Sequence, residues 1–175
     1  MNTKYYLEAK NNLNYIEDKI TNDEYLNKLL YANIITILEK YLYNIFITLL
    51  NSDIKLLKNL TISSKFKNQK IPLKTALNDV EKYIFEMVKG LNYHNLSDIE
   101  PLFSEVLDIK IDYDEKVIHT INTRHNIIHR NGFNKNGESI KISTLQFQQT
   151  IKLFLNLILD IDNQITKKYN IQDLF

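Results

Sequence analysis

The chain has 175 residues, 44% hydrophobic and 25% charged, so it is long enough to bury a core as a single domain, residues 1–175. It contains no cysteine, which excludes disulfides, thiolate nucleophiles and cysteine-based metal sites. Its three dispersed glycines do not form a Walker loop or a dinucleotide-binding turn, and a net charge of +1 excludes a chain-wide electrostatic clamp on nucleic acid.

The apolar segments of the sequence favour a soluble, cytoplasmic protein without a membrane segment. The first residues lack the apolar stretch of a signal peptide. The most apolar stretch, residues 31–50, is interrupted by Glu39 and Lys40, and residues 151–161 are too few to span a bilayer.

Two prolines and three glycines in the whole chain favour long helices with few turns. Apolar spacing and capping residues predict helices over residues 3–20, 21–51, 52–60, 72–90, 97–107, 112–131 and 143–165. Residues 61–70 are predicted to be a lysine-rich loop, and residues 133–142 a loop with a small ribbon around Asn136 and Gly137. The expected fold is an all-α bundle of five to seven helices.

The last predicted helix carries an apolar seam with a 3.5-residue period, formed by Phe147, Ile151, Phe154, Ile158, Ile161 and Ile165. Four further leucines widen its apolar surface. Such a helix is either central to the bundle or buried in an oligomer.

Only two of the 22 basic residues are arginine, and both lie close to histidines in one short segment. Arg124 and Arg130 stand next to His125 and His129. In a chain this rich in lysine, a retained arginine suggests that its planar, always-charged guanidinium is used.

A helical projection separates this segment into two faces. Val117, Ile121 and Ile128 share a stripe that is expected to face the core, with Arg124 at its edge. The polar face carries Asn122, His125, Asn126 and His129. Arg124 and His129 are separated by about 140° around the helix axis. A two-fold dimer, in which Arg124 of one chain approaches His129 of the other, would bring them together more easily than a single straight helix.

An imidazole and a guanidinium on one polar face suit metal-free cleavage of RNA. The 2′-hydroxyl of the substrate is the nucleophile, so the protein needs only to move protons and to stabilise charge. His129 is the predicted general acid/base, and Arg124 the group that holds the phosphate oxygens. His125 and Asn126 are predicted to position the phosphate or the sugar.

The segment Arg124-His125-Asn126-Ile127-Ile128-His129 resembles the Arg-x4-6-His motif of the HEPN superfamily. The resemblance implies a helical bundle that forms a homodimer around the motif, and an RNA substrate. It implies a prokaryotic toxin or antiviral (abortive-infection) effector, with an antitoxin or another defence protein as partner. In this interpretation Arg124 and His129 are the catalytic pair and His125 is accessory.

The chain departs from one HEPN pattern at Asn131. HEPN toxins that a nucleotidyltransferase silences tend to carry tyrosine two residues after the histidine, and Asn131 occupies that place here. Control by AMP transfer to this position is therefore not expected.

Glu39 is the remaining candidate site residue, because it lies on or near the apolar side of the second predicted helix. An isolated buried carboxylate is costly, so Glu39 is expected either to orient the motif arginine or histidine, or to form a surface ion pair with a lysine. His125 and His129 have the four-residue spacing of metal ligands, but no third ligand stands at a matching offset. Neither a metal nor a cofactor is predicted.

Two alternatives to the nuclease remain open from the sequence. The chain is also compatible with a non-catalytic HEPN-like module that pairs with a nucleotidyltransferase or another effector and binds nucleotide or phosphate at its polar cluster. The second alternative is a purely structural helical dimer. It predicts that substitutions at Arg124 and His129 change stability alone.

Overall fold

The computed structural model describes residues 1–170 and 172–175, apart from the side chain of Asn78. In this part of the chain there are eight α-helices, one 3₁₀ turn at Gln172–Leu174 and no strand. The helices are α1 (Lys4–Glu17), α2 (Glu24–Ser52), α3 (Ile54–Ile62), α4 (Leu73–Asn78), α5 (Val80–Lys89), α6 (Leu96–Leu107), α7 (Glu115–His129) and α8 (Thr144–Lys168). The predicted all-α class is confirmed.

The predicted count of five to seven helices is too low, because the single helix expected over residues 72–90 is two helices, α4 and α5. They are separated at Asp79, whose backbone is not helical (φ −162°, ψ 77°). The Asp79 side chain accepts a hydrogen bond from the backbone N–H of Lys82 and so caps α5. Leu73 and Leu77 of α4 are 82% and 85% exposed, so α4 does not continue the buried apolar face of α5.

Short polar side chains set the start of most long helices. The caps are Thr3 for α1, Asp23 for α2, Asp53 for α3, Asp114 for α7 and Ser143 for α8. Each side chain accepts a hydrogen bond from a backbone N–H group that has no partner within its helix.

α2 and α8 form the centre of the bundle. All six residues of the α8 seam are buried within the chain, so of the two expected locations the seam occupies the core. By length and hydropathy alone α2 could also cross a membrane. In the bundle, 56% of its most apolar window is buried.

A buried carboxylate ties the N-terminus to both central helices. Asp162 of α8 is fully buried and accepts hydrogen bonds from the Thr3 backbone N–H at 3.1 Å and the Thr3 hydroxyl at 2.5 Å. It also accepts one from the Tyr41 hydroxyl of α2 at 3.1 Å. These donors compensate for the lost hydration of the carboxylate and hold α1 against α2 and α8.

The end of α7 is held against the start of α2. Asn131 and Gly132 adopt positive φ angles of 51° and 81°, which end the helix. The chain then folds back through a single antiparallel β-bridge between Phe133 and Ser139. The ribbon predicted around Asn136 and Gly137 is reduced to this one bridge. The Lys28 side chain of α2 lies beside Gly132 and donates to the Ser139 hydroxyl at 3.3 Å. The loop that follows α7 is therefore held against the start of α2.

Candidate active site

α7 turns a different face to the core from the one predicted. Its buried residues are Val117, Thr120, Thr123 and Ile127. The two threonines are accommodated because their hydroxyls donate to the carbonyls of Lys116 and His119, each at 2.9 Å. Ile121 is only half-buried, and Ile128, predicted to face the core, is 48% exposed.

Arg124 lies at the junction of α7 and α2, lining a groove with Leu29, Asn33 and Thr36 of α2. Its Nε atom is buried and has no hydrogen-bond partner among the described residues. Leaving a buried donor unpaired costs about 1–3 kcal/mol. A ligand or partner that supplies an acceptor oxygen would recover this cost.

His125 and His129 form an exposed pair of imidazoles on the solvent side of α7, with ring centroids 4.7 Å apart. Desolvation lowers the pKa of His125 below its usual value, and the positive charges of His129, Arg130, Arg124 and His94 lower it further. His125 is therefore mainly neutral at neutral pH.

Asn126 is bound to the end of its own helix. Its side-chain oxygen accepts a hydrogen bond from Arg130 Nη1 at 2.5 Å, and its backbone carbonyl accepts from the N–H groups of Arg130 and Gly132. The amide nitrogen of Asn126 is the group that remains to donate to a substrate. Arg130 stabilises the last turn of α7, in agreement with a cation at a helix C-terminus.

Glu39 has a partner that the sequence interpretation did not foresee. Its Oε1 contacts Nδ1 of His94, which lies in the turn between α5 and α6, instead of the expected Arg124, motif histidine or lysine. A carboxylate on or near the apolar side of α2 indicates that Glu39 needs a polar partner. No local pattern identifies His94, because the two residues are 55 positions apart.

The structure thus brings several of the predicted site residues together and separates others. His125 lies beside His129, and Asn126 is bound to Arg130. Arg124 is turned toward α2, whereas His129 is exposed on another side of α7. Five residues apart on one helix, the two positions are separated by about 140° around its axis.

Exposed apolar side chains flank Arg124. Tyr25 and Leu29 of α2 and Ile128 of α7 are 66%, 42% and 48% exposed, and together they are called the Leu29 surface below. They border two adjoining grooves of about 430 and 360 Å³. The second groove contains Arg124 itself, so the motif lies at the edge of an apolar surface.

The arrangement offers a guanidinium, two imidazoles and an amide, which can bind an anion and transfer protons. Within the described ranges, no three His, Asp or Glu side chains are grouped so that they could hold a metal ion.

No protein-family model, curated protein or solved structure matches this chain. Function is therefore inferred from the geometry of the site.

Proposed function

We propose that the chain is a metal-independent endoribonuclease of the HEPN type. The observation that carries the proposal is the buried Arg124 Nε–H group, for which the described residues supply no acceptor, on the helix that also presents two exposed histidines. A phosphate oxygen supplies the acceptor that this group lacks, and a guanidinium binds phosphate bidentately. The resemblance of residues 124–129 to the HEPN motif supports the same reaction.

In the proposed reaction the ribose 2′-hydroxyl attacks the adjacent phosphorus and yields a 2′,3′-cyclic phosphate. His129 takes the proton of the 2′-hydroxyl, and Arg124 stabilises the charge that builds on the phosphate oxygens. The Asn126 amide and the mainly neutral His125 position the phosphate or the sugar. Glu39 acts through the histidine that it contacts. The reaction uses no cofactor.

The proposed active form is a homodimer in which Arg124 of one chain and His129 of the other act on the same phosphate. The support is the angle of about 140° between these two positions on one helix, which a two-fold axis can compensate. The occupant proposed for the Leu29 surface is a second copy, because the groove that this surface borders contains Arg124 itself. Contact there would bring two copies of α7 together.

The biological role that accompanies this activity is that of a cytoplasmic prokaryotic toxin or antiviral defence effector. An antitoxin or defence-system protein is the proposed partner besides RNA. This part of the proposal depends on the HEPN resemblance alone.

Cleavage of total RNA and of tRNA in excess EDTA tests the proposed activity. We expect wild-type protein to produce discrete fragments that end in 2′,3′-cyclic phosphate. Arg124→Ala and His129→Ala are expected to lower the rate by about 100-fold or more, because each removes a group that acts on the transition state.

His119→Ala is the matched control, since His119 is an exposed histidine of the same helix that lies outside residues 124–129. It should cleave at the wild-type rate. Equal cleavage by all four proteins would assign the activity to a contaminant, and no cleavage by the wild type would overturn the proposal.

A second candidate function is a non-catalytic module that pairs with a nucleotidyltransferase or another effector and binds nucleotide or phosphate. The exposed Leu29 surface favours it, because an apolar surface beside a basic cluster also suits a different protein partner. In this case the wild-type protein would bind nucleotide through Arg124 and leave RNA intact.

A further inference from the structure

The contact between Glu39 and His94 joins two elements that are remote in sequence. Glu39 lies on α2 and His94 precedes α6, and their side chains are 25% and 23% exposed. The carboxylate engages Nδ1 of the imidazole, so Nε2 is the ring nitrogen left for a substrate. A carboxylate against one nitrogen orients a histidine and stabilises its imidazolium form.

The turn that carries His94 is held in place by its neighbours. The Tyr93 ring packs edge-on against Tyr43 of α2, with centroids 5.6 Å apart. The Tyr93 hydroxyl donates to the Val88 carbonyl at 3.1 Å, and the Leu96 N–H donates to the His94 carbonyl at 3.0 Å. The imidazole is thus positioned before any substrate binds.

One face of α2 connects this pair to the motif. Ala32, Thr36, Glu39 and Tyr43 recur at steps of four, three and four residues, so they share a face. Arg124 lines the same groove as Ala32 and Thr36. Glu39 follows Thr36 by three residues, or about 4.5 Å along the helix axis.

The electrostatic effect of His94 on His125 agrees with a location near the motif helix. The charge of His94 lowers the pKa of His125, although by less than the charges of His129, Arg130 and Arg124 do. The contact between Glu39 and His94 therefore lies about one helical turn along α2 from the groove that contains Arg124.

The proposed reaction requires two proton transfers, and one histidine does not perform both in the same step. His129 removes the proton from the 2′-hydroxyl. A second group must donate a proton to the departing 5′-oxygen. His125 is poorly suited because it is mainly neutral. His94 is suited by its geometry, because Glu39 holds Nδ1 of its ring and leaves Nε2 to face the departing oxygen.

We propose that His94 is the proton donor to the leaving group and that Glu39 is its positioning residue. This inference rests on the proposed ribonuclease function. As the bond between the 2′-oxygen and phosphorus forms, the bond between phosphorus and the 5′-oxygen breaks. The 5′-oxygen receives a proton from the His94 imidazolium and leaves as a 5′-hydroxyl, and the neutral His94 is reprotonated by solvent.

A substrate that does not need the acid tests this role. We would compare an RNA oligonucleotide that contains the mapped cleavage site with the same oligonucleotide carrying sulfur in place of the bridging 5′-oxygen. The thiolate leaves without protonation, so loss of a general acid no longer matters.

We expect His94→Ala to lower cleavage of the oxygen substrate by about 100-fold and that of the sulfur substrate by less than about 10-fold. Glu39→Gln should show the same selective loss at a smaller magnitude, and it keeps the shape of the side chain. Arg124→Ala should lower both rates, and His119→Ala neither. Circular dichroism compares the folding of all variants.

Equal losses on both substrates for His94→Ala and Glu39→Gln would mean a structural role only and would overturn the proposal. Unchanged cleavage of the oxygen substrate by His94→Ala would also overturn it, while the ribonuclease function would stand. Cleavage that survives Arg124→Ala and His129→Ala would instead refute the ribonuclease function on which the proposal rests.

Discussion

At the scale of single residues, the candidate site combines side chains with very different surroundings. The Nε of Arg124 is buried and has no partner in the part of the chain that the structure describes, whereas His125 and His129 are exposed, with ring centroids 4.7 Å apart. Their common location on α7 was predictable because helix periodicity relates residues only a few positions apart. The pairing of Glu39 with His94 was not, since it depends on how α2 packs beside the turn before α6.

The lowered pKa of His125 is measurable in the folded protein. We expect its imidazole to titrate below the usual value of 6.5 in NMR spectra recorded across pH, because desolvation and neighbouring cations disfavour the charged form. Arg130→Gln removes one of these charges and should move the titration upward. Lys116→Gln, a charge change on the same helix outside this set, should not. Titration of His125 at or above 6.5 would contradict the assignment.

The lowered pKa of His125 also makes the stability of the fold depend on pH. Because the pKa of His125 is lower in the folded than in the unfolded chain, the folded state binds fewer protons at acidic pH. This residue therefore lowers the free energy of unfolding as pH falls below about 6.5, and it has no effect above that value.

At the scale of elements, capping residues account for where the helices begin. Asp114 starts α7 and accepts hydrogen bonds from the N–H groups of Lys116 and Val117, at 2.9 and 3.2 Å. The same chemistry also explains the error in the helix count. Asp79 caps α5 and interrupts an apolar pattern that otherwise reads as one helix. Apolar spacing alone cannot reveal such a break, because α4 keeps the spacing while remaining exposed.

Replacing the cap of α7 tests its contribution to stability. We expect Asp114→Ala to lower the free energy of unfolding by about 1 kcal/mol, measured by urea denaturation, because two backbone donors lose their acceptor. Asp114→Asn, which retains a capping oxygen, should cost much less. Equal losses for both variants would show that the charge of Asp114, and not its capping hydrogen bonds, is what stabilises α7.

At the scale of the whole molecule, the proposed dimer follows from the positions of Arg124 and His129, which lie about 140° apart around α7. Arg124 is directed to α2 and the Leu29 surface, and His129 to solvent. In the proposed dimer, a second chain covers the Leu29 surface, completes the site and buries exposed apolar side chains.

A purified heterodimer tests the composite site. Arg124→Ala and His129→Ala chains with two different tags would be co-expressed and isolated by both tags in succession. In a composite dimer one of the two sites keeps both residues, so we expect about half of the wild-type activity where each homodimer has almost none. An inactive heterodimer would place both residues in the same chain's site. Failure to recover any complex that carries both tags would contradict the dimer.

The sequence by itself determined the helical class, most helix starts and the clustering of Arg124, His125, Asn126 and His129 on one late helix. These features depend on capping and periodicity, which act over a few residues. Only the tertiary structure decided that α7 exposes Ile128, that the α8 seam lies in the core and that Glu39 contacts His94. Each of these depends on which helix faces which, and that follows from packing among residues far apart in the chain.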